Sequence, residues 1–459
     1  MKAKLFICTI FLLFQNLFSQ EITGTWYGNL QIQGTQLPLV FHIEKEGNAY
    51  KSTLDSPMQG AKGIAIKETK FENNELIFDA NNLGIYYSGV FNNNKFEGTF
   101  RQSGMNLPLN LSRTDDEITN NRPQEPKSPF NYNNEDISFK NEIEGNNLAG
   151  TLTTPKNFDK SSPILVMITG SGAQNRDEEL VGHKPFLVIA DDFAKKGIAT
   201  LRLDDRGIGG SSAGKHGATT ADFATDINSA VNYLIKNGYK NIGLVGHSEG
   251  GMIAPMVAIK NKNVKFLVLM AGPGIPIEDL MRIQSENIAK ISGASNVLIK
   301  INEKLNSDIY SFVKKYKGKD LKKDLKEFLI IELEKLPKPE KNTVSLEDLA
   351  EQQADEISSP WFRYFIEFNP SDYLSKIKIP VLAINGSLDL QVSAKENLDG
   401  IKKSLTKAGN KEFKIVELEG LNHLFQTTNT GNPSEYGQIE ETFSPRALNE
   451  MTEWILKLK

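Results

Sequence analysis

The feature that most narrows the fold is a rhythm in the second half of the chain. Short runs without polar alternation, at residues 164–169, 198–203, 242–246, 264–271, 379–384 and 413–418, take turns with stretches of helical spacing at 185–196, 220–236, 250–260, 394–408 and 445–458. A strand that is apolar on both faces must be covered on both faces, so this alternation predicts a mostly parallel sheet between two helical layers. The rhythm breaks once. Residues 275–372 read as mostly helical with no clear strand, including a charged amphipathic stretch at 310–334, and are expected to form a helical cap over one edge of the sheet. Within it, lysines alternate with Asp320, Asp324 and Glu327, the pattern of a solvated helix face rather than of a ligand site.

The first part of the chain has a different period. From about Gly24 to Ser112, short alternating runs are broken by Gly and Asn, as at Asn92-Asn93-Asn94. Such a pattern predicts meandering antiparallel strands closed into a small β-barrel or sandwich. No Ser, His and acid converge there, and His42 reads as a strand residue. Residues 115–134 are polar and carry Pro123, Pro126 and Pro129, the composition of a linker that cannot bury enough apolar surface to fold alone. A hairpin-like pair at 137–143 and 148–154 then opens the second domain.

At the N-terminus, Lys2 and Lys4 precede the apolar run Leu5 to Phe14, and the small residue Ser19 follows. This reads as a secretory signal peptide, since a spanning helix needs about twenty apolar residues. The bulky Ile7 before Cys8 does not suit lipid attachment. The expected plan is a signal peptide at 1–19, a β-rich accessory domain at 20–114, a linker at 115–134 and an α/β domain at 135–459 with its cap at about 275–372. Cleavage near Ser19 removes the single cysteine, so no disulfide and no multi-Cys zinc site is expected in an exported, periplasmic or secreted chain. No later segment looks membrane-spanning. With 53 Lys+Arg against 57 Asp+Glu the net charge is −4, which lacks the basic excess of a nucleic-acid binder.

One constellation carries chemistry. Gly246-His247-Ser248-Glu249-Gly250 follows an apolar strand and opens a helix, the setting of a G-x-S-x-G nucleophile elbow. The turn is tight, so side chains at its glycines would collide with neighbouring backbone. It lifts the Ser248 hydroxyl clear of the sheet and leaves the Glu249 amide at a helix N-terminus, where it can meet an oxyanion. A serine needs a general base, and the base an orienting acid. Both should leave the sheet at its carboxyl edge. His423 follows strand 413–418 by a short loop, and Asp389 follows strand 381–384 in the same way. Asp372 and Asp399 do not sit at a strand exit. The side chain of His247 should point away from the serine into a structural hydrogen bond, while His183 and His216 lie in loops from which either could line a pocket. A second oxyanion donor is expected from the loop Gly170-Ser171-Gly172-Ala173, with Ser171 preferred over Gly172. Arg176 is a candidate for a substrate carboxylate or for an internal pair with Asp177 or Glu178, and His183 is the other candidate substrate contact.

With these residues in hand, the chain from about Asp136 onward resembles the α/β-hydrolase superfamily. Within it, the chain is similar to exported bacterial esterases and serine aminopeptidase-like hydrolases. The matching pieces are Leu148-Ala149-Gly150-Thr151-Leu152, Gly170-Ser171-Gly172, residues 203–211 around Asp204-Asp205-Arg206-Gly207, the elbow, Gly386-Ser387-Leu388-Asp389 and Leu421-Asn422-His423. The resemblance implies nucleophile Ser248, base His423, acid Asp389 and no cofactor or metal. It departs at Thr169, where many relatives carry a histidine before the glycine of the oxyanion loop. Three functions follow from these residues. The first is hydrolysis of carboxylic esters through an acyl-enzyme, on a small-molecule acyl substrate. The second is an aminopeptidase or amidase using the same three residues, and the third a non-catalytic binding protein on a hydrolase fold. Nothing in the sequence sets an oligomeric state.

Overall fold

The computed structural model describes residues 22–32, 35–47, 49–56, 61–80, 84–102, 105–114, 121–335 and 345–458. The leader expected at 1–19, with Cys8, lies outside them. The described residues divide into two compact units, one of residues 22–56 and 62–114 and the other of residues 121–458.

In the first unit the strands are β1 (Gly24–Ile32), β2 (Thr35–Glu46), β3 (Ala49–Ser56), β4 (Ala61–Glu72), β5 (Glu75–Ala80), β6 (Ile85–Asn92), β7 (Lys95–Gln102) and β8 (Met105–Ser112). Each pairs with the next, and β1 closes on β8 through Tyr27↔Ser112 and Gly28↔Leu111, so the unit is a closed barrel rather than a sandwich. Closure leaves no strand edge unpaired. The alternation of each strand turns Trp26, Phe41, Phe78, Tyr87, Phe96 and Phe100 inward to fill the interior, with the rings of Phe41 and Phe78 stacked at 4.6 Å. Asn73-Asn74 and Asn93-Asn94 take left-handed conformations at the hairpin turns, as a two-residue turn between twisted strands requires. His42 accepts its expected place on a strand, with Nε2 3.0 Å from Asp55 Oδ2.

The second unit is built on one sheet of eight strands. Two antiparallel strands open it, β9 (Tyr132–Lys140) and β10 (Asn147–Pro155), and the parallel strands are β11 (Pro163–Ile168), β12 (Ala199–Leu203), β13 (Asn241–His247), β14 (Val264–Met270), β15 (Val381–Gly386) and β16 (Phe413–Leu418). Their order across the sheet is β16-β15-β14-β13-β11-β12-β10-β9. Strand alternation explains why the central strand β11 is apolar throughout. Ile164, Val166 and Ile168 of β11 enter one core, and Leu165 and Met167 the core on the opposite face. The first core is covered by α2 (Thr220–Lys236), α3 (Gly250–Ala258) and α10 (Ala394–Lys407), the second by α1 (Pro185–Lys195) and α11 (Pro445–Lys457).

Between β14 and β15 stands the cap, with α4 (Ile277–Ile291), α5 (Asn296–Lys315), α6 (Leu321–Glu334), α7 (Leu346–Ile357), α8 (Pro360–Glu367) and α9 (Ser371–Leu374). The amphipathic stretch expected at 310–334 is two helices, because Asp320 caps a new helix by accepting the amide of Lys323. The lysines of α6 are solvent-facing, and Lys322 and Lys326 pair across to Glu351 on α7.

The stretch expected to link the domains departs from that reading in two ways. Strand β9 already begins at Tyr132. Before it, residues 121–124 are stitched to the second unit. The Arg122 guanidinium donates to the carbonyls of Gly182 (3.1 Å), Ile439 (2.9 Å) and Gly437 (2.7 Å). Gln124 Oε1 accepts the amide of Thr442 at 2.6 Å. Such a segment is ordered by polar bonds rather than by apolar burial, which is why a hydropathy reading passes over it.

Candidate active site

Strand β13 ends at His247, and the next residue turns sharply. Ser248 has φ +52°, the left-handed region that a non-glycine residue enters only when its surroundings impose it. The flanking glycines allow the bend. A Cβ on Gly246 would lie 2.1 Å from the carbonyl oxygen of Gly250, and one on Gly250 2.3 Å from that of Ile168. Glu249 occupies the N-cap of α3, so its amide belongs to the first turn, where helix amides lack an intrahelical acceptor.

The other two residues arrive from adjacent strand ends. Asp389, 3% exposed, follows β15; its Oδ1 accepts the amides of Gln391 and Val392, both at 2.8 Å. Its Oδ2 lies 2.8 Å from His423 Nδ1. A carboxylate only accepts, so Nδ1 carries a proton, which makes Nε2 the acceptor nitrogen in the neutral ring. Ser248 and His423 line the same cavity of about 250 Å³, together with Gly170, Ser171 and Glu249. From the cap, Leu280, Met281, Trp361 and Phe365 cover it.

The loop after β11 supplies the opposite wall. The amide of Gly170 donates to Glu178 Oε1 at 2.8 Å and is thereby engaged. Ser171 is the next amide along and lines the cavity of Ser248 and His423, whereas Gly172, with φ +97°, lines only a second, adjoining cavity of about 410 Å³. Thr169 stands where relatives were expected to place a histidine; its hydroxyl donates to Asp205 Oδ1 at 2.9 Å, and the amide of Gln174 donates to Asp205 Oδ2 at 2.9 Å. Burial pushes the Asp205 carboxyl up to about 7.

His247 does point away from the serine, and its partners are informative. Nδ1 lies 2.9 Å from Glu178 Oε1 and Nε2 lies 3.0 Å from the carbonyl oxygen of His423. Both partners accept, so both ring nitrogens donate and the ring is an imidazolium. Burial opposes that charge, but the Glu178 carboxylate more than offsets it and holds the pKa above the ordinary histidine value. The Glu178–His247 pair thus joins three loops: the one after β11, the elbow, and the one carrying His423. Sequence reasoning placed Glu178 only as a partner for Arg176, because no spacing rule links it to His247.

For Glu249 the sequence reading foresaw the backbone amide but not the side chain. Its side chain is 2% exposed, and Oε1 accepts from the Thr220 hydroxyl at 2.6 Å and from the Trp361 indole N–H at 3.0 Å. Burial holds its pKa above the usual carboxylate range.

Two candidate substrate contacts are engaged elsewhere. Arg176 forks onto Asp204 (Nε 3.0 Å, Nη2 2.7 Å) and reaches Asp136 at 2.9 Å, so it pairs with neither Asp177 nor Glu178. Asp177 instead meets Arg202 of β12. The ring of His183 is buried between Thr442 Oγ1 and the Tyr436 carbonyl, each at 2.9 Å, and lines neither cavity. Burial lowers its pKa to about 4. His216 is exposed and lines neither cavity. Among the described residues no group of three or more His, Cys, Asp or Glu converges as a metal site would.

Esterase EstD of Thermotoga maritima is 27% identical over 338 residues, covering 72% of this chain and 69% of that protein. Among solved structures, an esterase of Pyrococcus furiosus shares 16% identity at a TM-score of 0.43, covering 71% of this chain and 91% of that one. Est1E of Butyrivibrio proteoclasticus, solved with ferulic acid bound, shares 18% identity at a TM-score of 0.40, covering 70% of this chain and 96% of that one. The family profile of the α/β hydrolase fold matches residues 163–425, from the first parallel strand through the loop of His423. That span is more than half of the chain, which therefore belongs to the α/β-hydrolase fold family.

Proposed function

We propose that this chain is a serine ester hydrolase working through an acyl-enzyme. The observation that carries the reading is the buried Asp389–His423 hydrogen bond of 2.8 Å, on a histidine that shares a cavity with a serine held at φ +52°. His423 Nε2 takes the proton of Ser248 Oγ as that oxygen attacks the ester carbonyl. The amides of Glu249 and Ser171 hold the charge that develops on the carbonyl oxygen, and Asp389 stabilises the imidazolium. Collapse breaks the bond to the alcohol, which leaves with the proton from His423. Water, deprotonated by the same nitrogen, then attacks the acyl-serine and releases the acid. The likeness to an esterase at 27% identity supports an ester as the substrate.

The test is Ser248→Ala on a short-chain p-nitrophenyl ester, with a fluorophosphonate label and far-UV circular dichroism on both proteins. Turnover should fall by about 10⁵–10⁶ with the fold retained, and the label should go to Ser248 alone. Wild-type rates in the variant would remove the serine from the mechanism. Higher kcat/KM on aminoacyl amides than on matched esters would reassign the same residues to peptide or amide hydrolysis.

A further inference from the structure

The cavity holding Ser248 and His423, at about 250 Å³, is smaller than the roughly 300–1,000 Å³ of ordinary small-molecule sites. A second cavity of about 410 Å³ adjoins it. Gly170, Ser171, Glu249 and Trp361 line both, so the two spaces meet across the oxyanion loop and the Glu249–Trp361 hydrogen bond. Beyond that boundary the wall is largely apolar, with Leu148 of β10, Phe223 and Ile227 of α2 and Ile253 of α3.

Resting on the ester-hydrolase reading above, we propose that the second cavity is the acyl subsite and takes an uncharged, apolar acyl chain of medium length, with Trp361 as the gate between the two spaces. The chemistry assigns the sides. The leaving alcohol must receive a proton from His423, and His423, Gln391, Val392 and Leu424 line the catalytic cavity alone. The alcohol therefore lies on their side. The carbonyl oxygen sits at the Glu249 and Ser171 amides, which are on the boundary, so the acyl chain is directed across it.

The charged groups on the far wall agree with an uncharged chain. Asp204 is neutralised by Arg176, and Asp226 by Arg206, which bonds it at 2.8 Å. Asp205 and Glu249 have no cation paired with them among the described residues, so this wall offers an anionic acyl group no unpaired positive partner and tolerates an apolar one. Trp361 is half-buried and stacked on Phe365 at 4.9 Å, and its indole N–H fixes it to Glu249. The ring thus occupies the path between the spaces and is anchored from two sides.

The experiment compares kcat/KM for p-nitrophenyl octanoate and acetate in the full chain, in Ile227→Phe and in Trp361→Ala. A buried methylene is worth close to fourfold, so a phenyl ring that displaces about two of them should lower the octanoate-to-acetate ratio about tenfold. Trp361→Ala should raise the same ratio by a similar factor. Movement of the ratio in these two directions supports the assignment. A ratio held within about twofold in both variants, with either ester still turned over, overturns the subsite and leaves the ester-hydrolase reading standing. Turnover of neither ester by any of the three proteins, with no fluorophosphonate labelling, overturns that reading and the subsite with it.

Discussion

His247 is held between a carboxylate and a carbonyl, and its two N–H groups tie residues that are far apart in sequence. Glu178 takes one of them and also the amide of Gly170, while the carbonyl of His423 takes the other. The carbonyl belongs to the same residue whose ring faces Asp389, so the backbone of His423 is fixed on one side and its ring on the other. If Glu178 becomes Gln, the second oxygen is replaced by a donor and the imidazolium loses the charge that stabilises it. One of its two bonds must then weaken. A displacement of about 1 Å at such a point costs up to about 10²-fold in rate. We expect Glu178→Gln to lower kcat on a short acyl ester by about 10- to 100-fold, with KM changed by much less. The alkaline side of the kcat profile should also move to lower pH, because the raised pKa of His247 depends on Glu178. Titratable neighbours of that ring are Glu178, Asp389 and His423, and the first is the one in contact with it. Steady-state kinetics across pH checks both statements; an unchanged kcat and profile would make the pair a packing feature only.

At the scale of elements, legibility followed periodicity. Helix Thr220–Lys236 and strand Phe413–Leu418 are found at the limits their apolar spacing predicts, and the elbow stands between its strand and helix. Asp389 and His423 were readable because a parallel sheet sends all its strand exits to one edge. What had no period had no signal. Glu178 and Trp361 reach His247 and Glu249 through hydrogen bonds that span 69 and 112 positions. The break between α5 and α6 rests on one capping aspartate inside a charged run. Arg122 is the sharpest case, because its stretch has linker composition and yet donates to carbonyls on two separate loops, at 180–183 and 437–439. Arg122→Ala would leave those part-buried carbonyls without their donor and destabilise the second unit by about 2–3 kcal/mol. Arg122 bonds to none of Ser248, Asp389 and His423, so kcat/KM should fall by less than stability suggests. Urea unfolding followed beside ester turnover measures the two effects separately; a stability change under about 0.5 kcal/mol would mean that the strap is held by other contacts.

For the molecule as a whole, the two units each have a separate core, so unfolding need not be a single transition and a stability measurement must report on one of them. The three tryptophans make this possible, since Trp26 lies in the barrel while Trp361 and Trp454 lie in the hydrolase unit. In a Trp26→Phe background, fluorescence follows the hydrolase unit alone. There, His183 links folding to pH. Its ordinary value of 6.5 is lowered by burial to about 4. Between those values the unfolded chain binds a proton that the folded chain refuses, so stability is full above 6.5 and declines as pH falls toward 4. Asp205 acts with the opposite sign, because burial raises its pKa to about 7 and the folded form holds the extra proton. The two opposing slopes leave the wild-type curve flatter than either alone. His183→Gln removes one of them and keeps the other, so Asp205 cancels when the variant is compared with wild type. Over about pH 4.5 to about pH 6.5, the stability of wild type minus that of the variant should rise with pH by up to about 1.4 kcal/mol per unit, and level off above. Urea unfolding at intervals across that range, with tryptophan emission as the signal, gives the difference directly. Parallel curves for the two proteins would mean that His183 binds its proton equally in both states, and that its bonds to Thr442 and Tyr436 do not depend on a neutral ring.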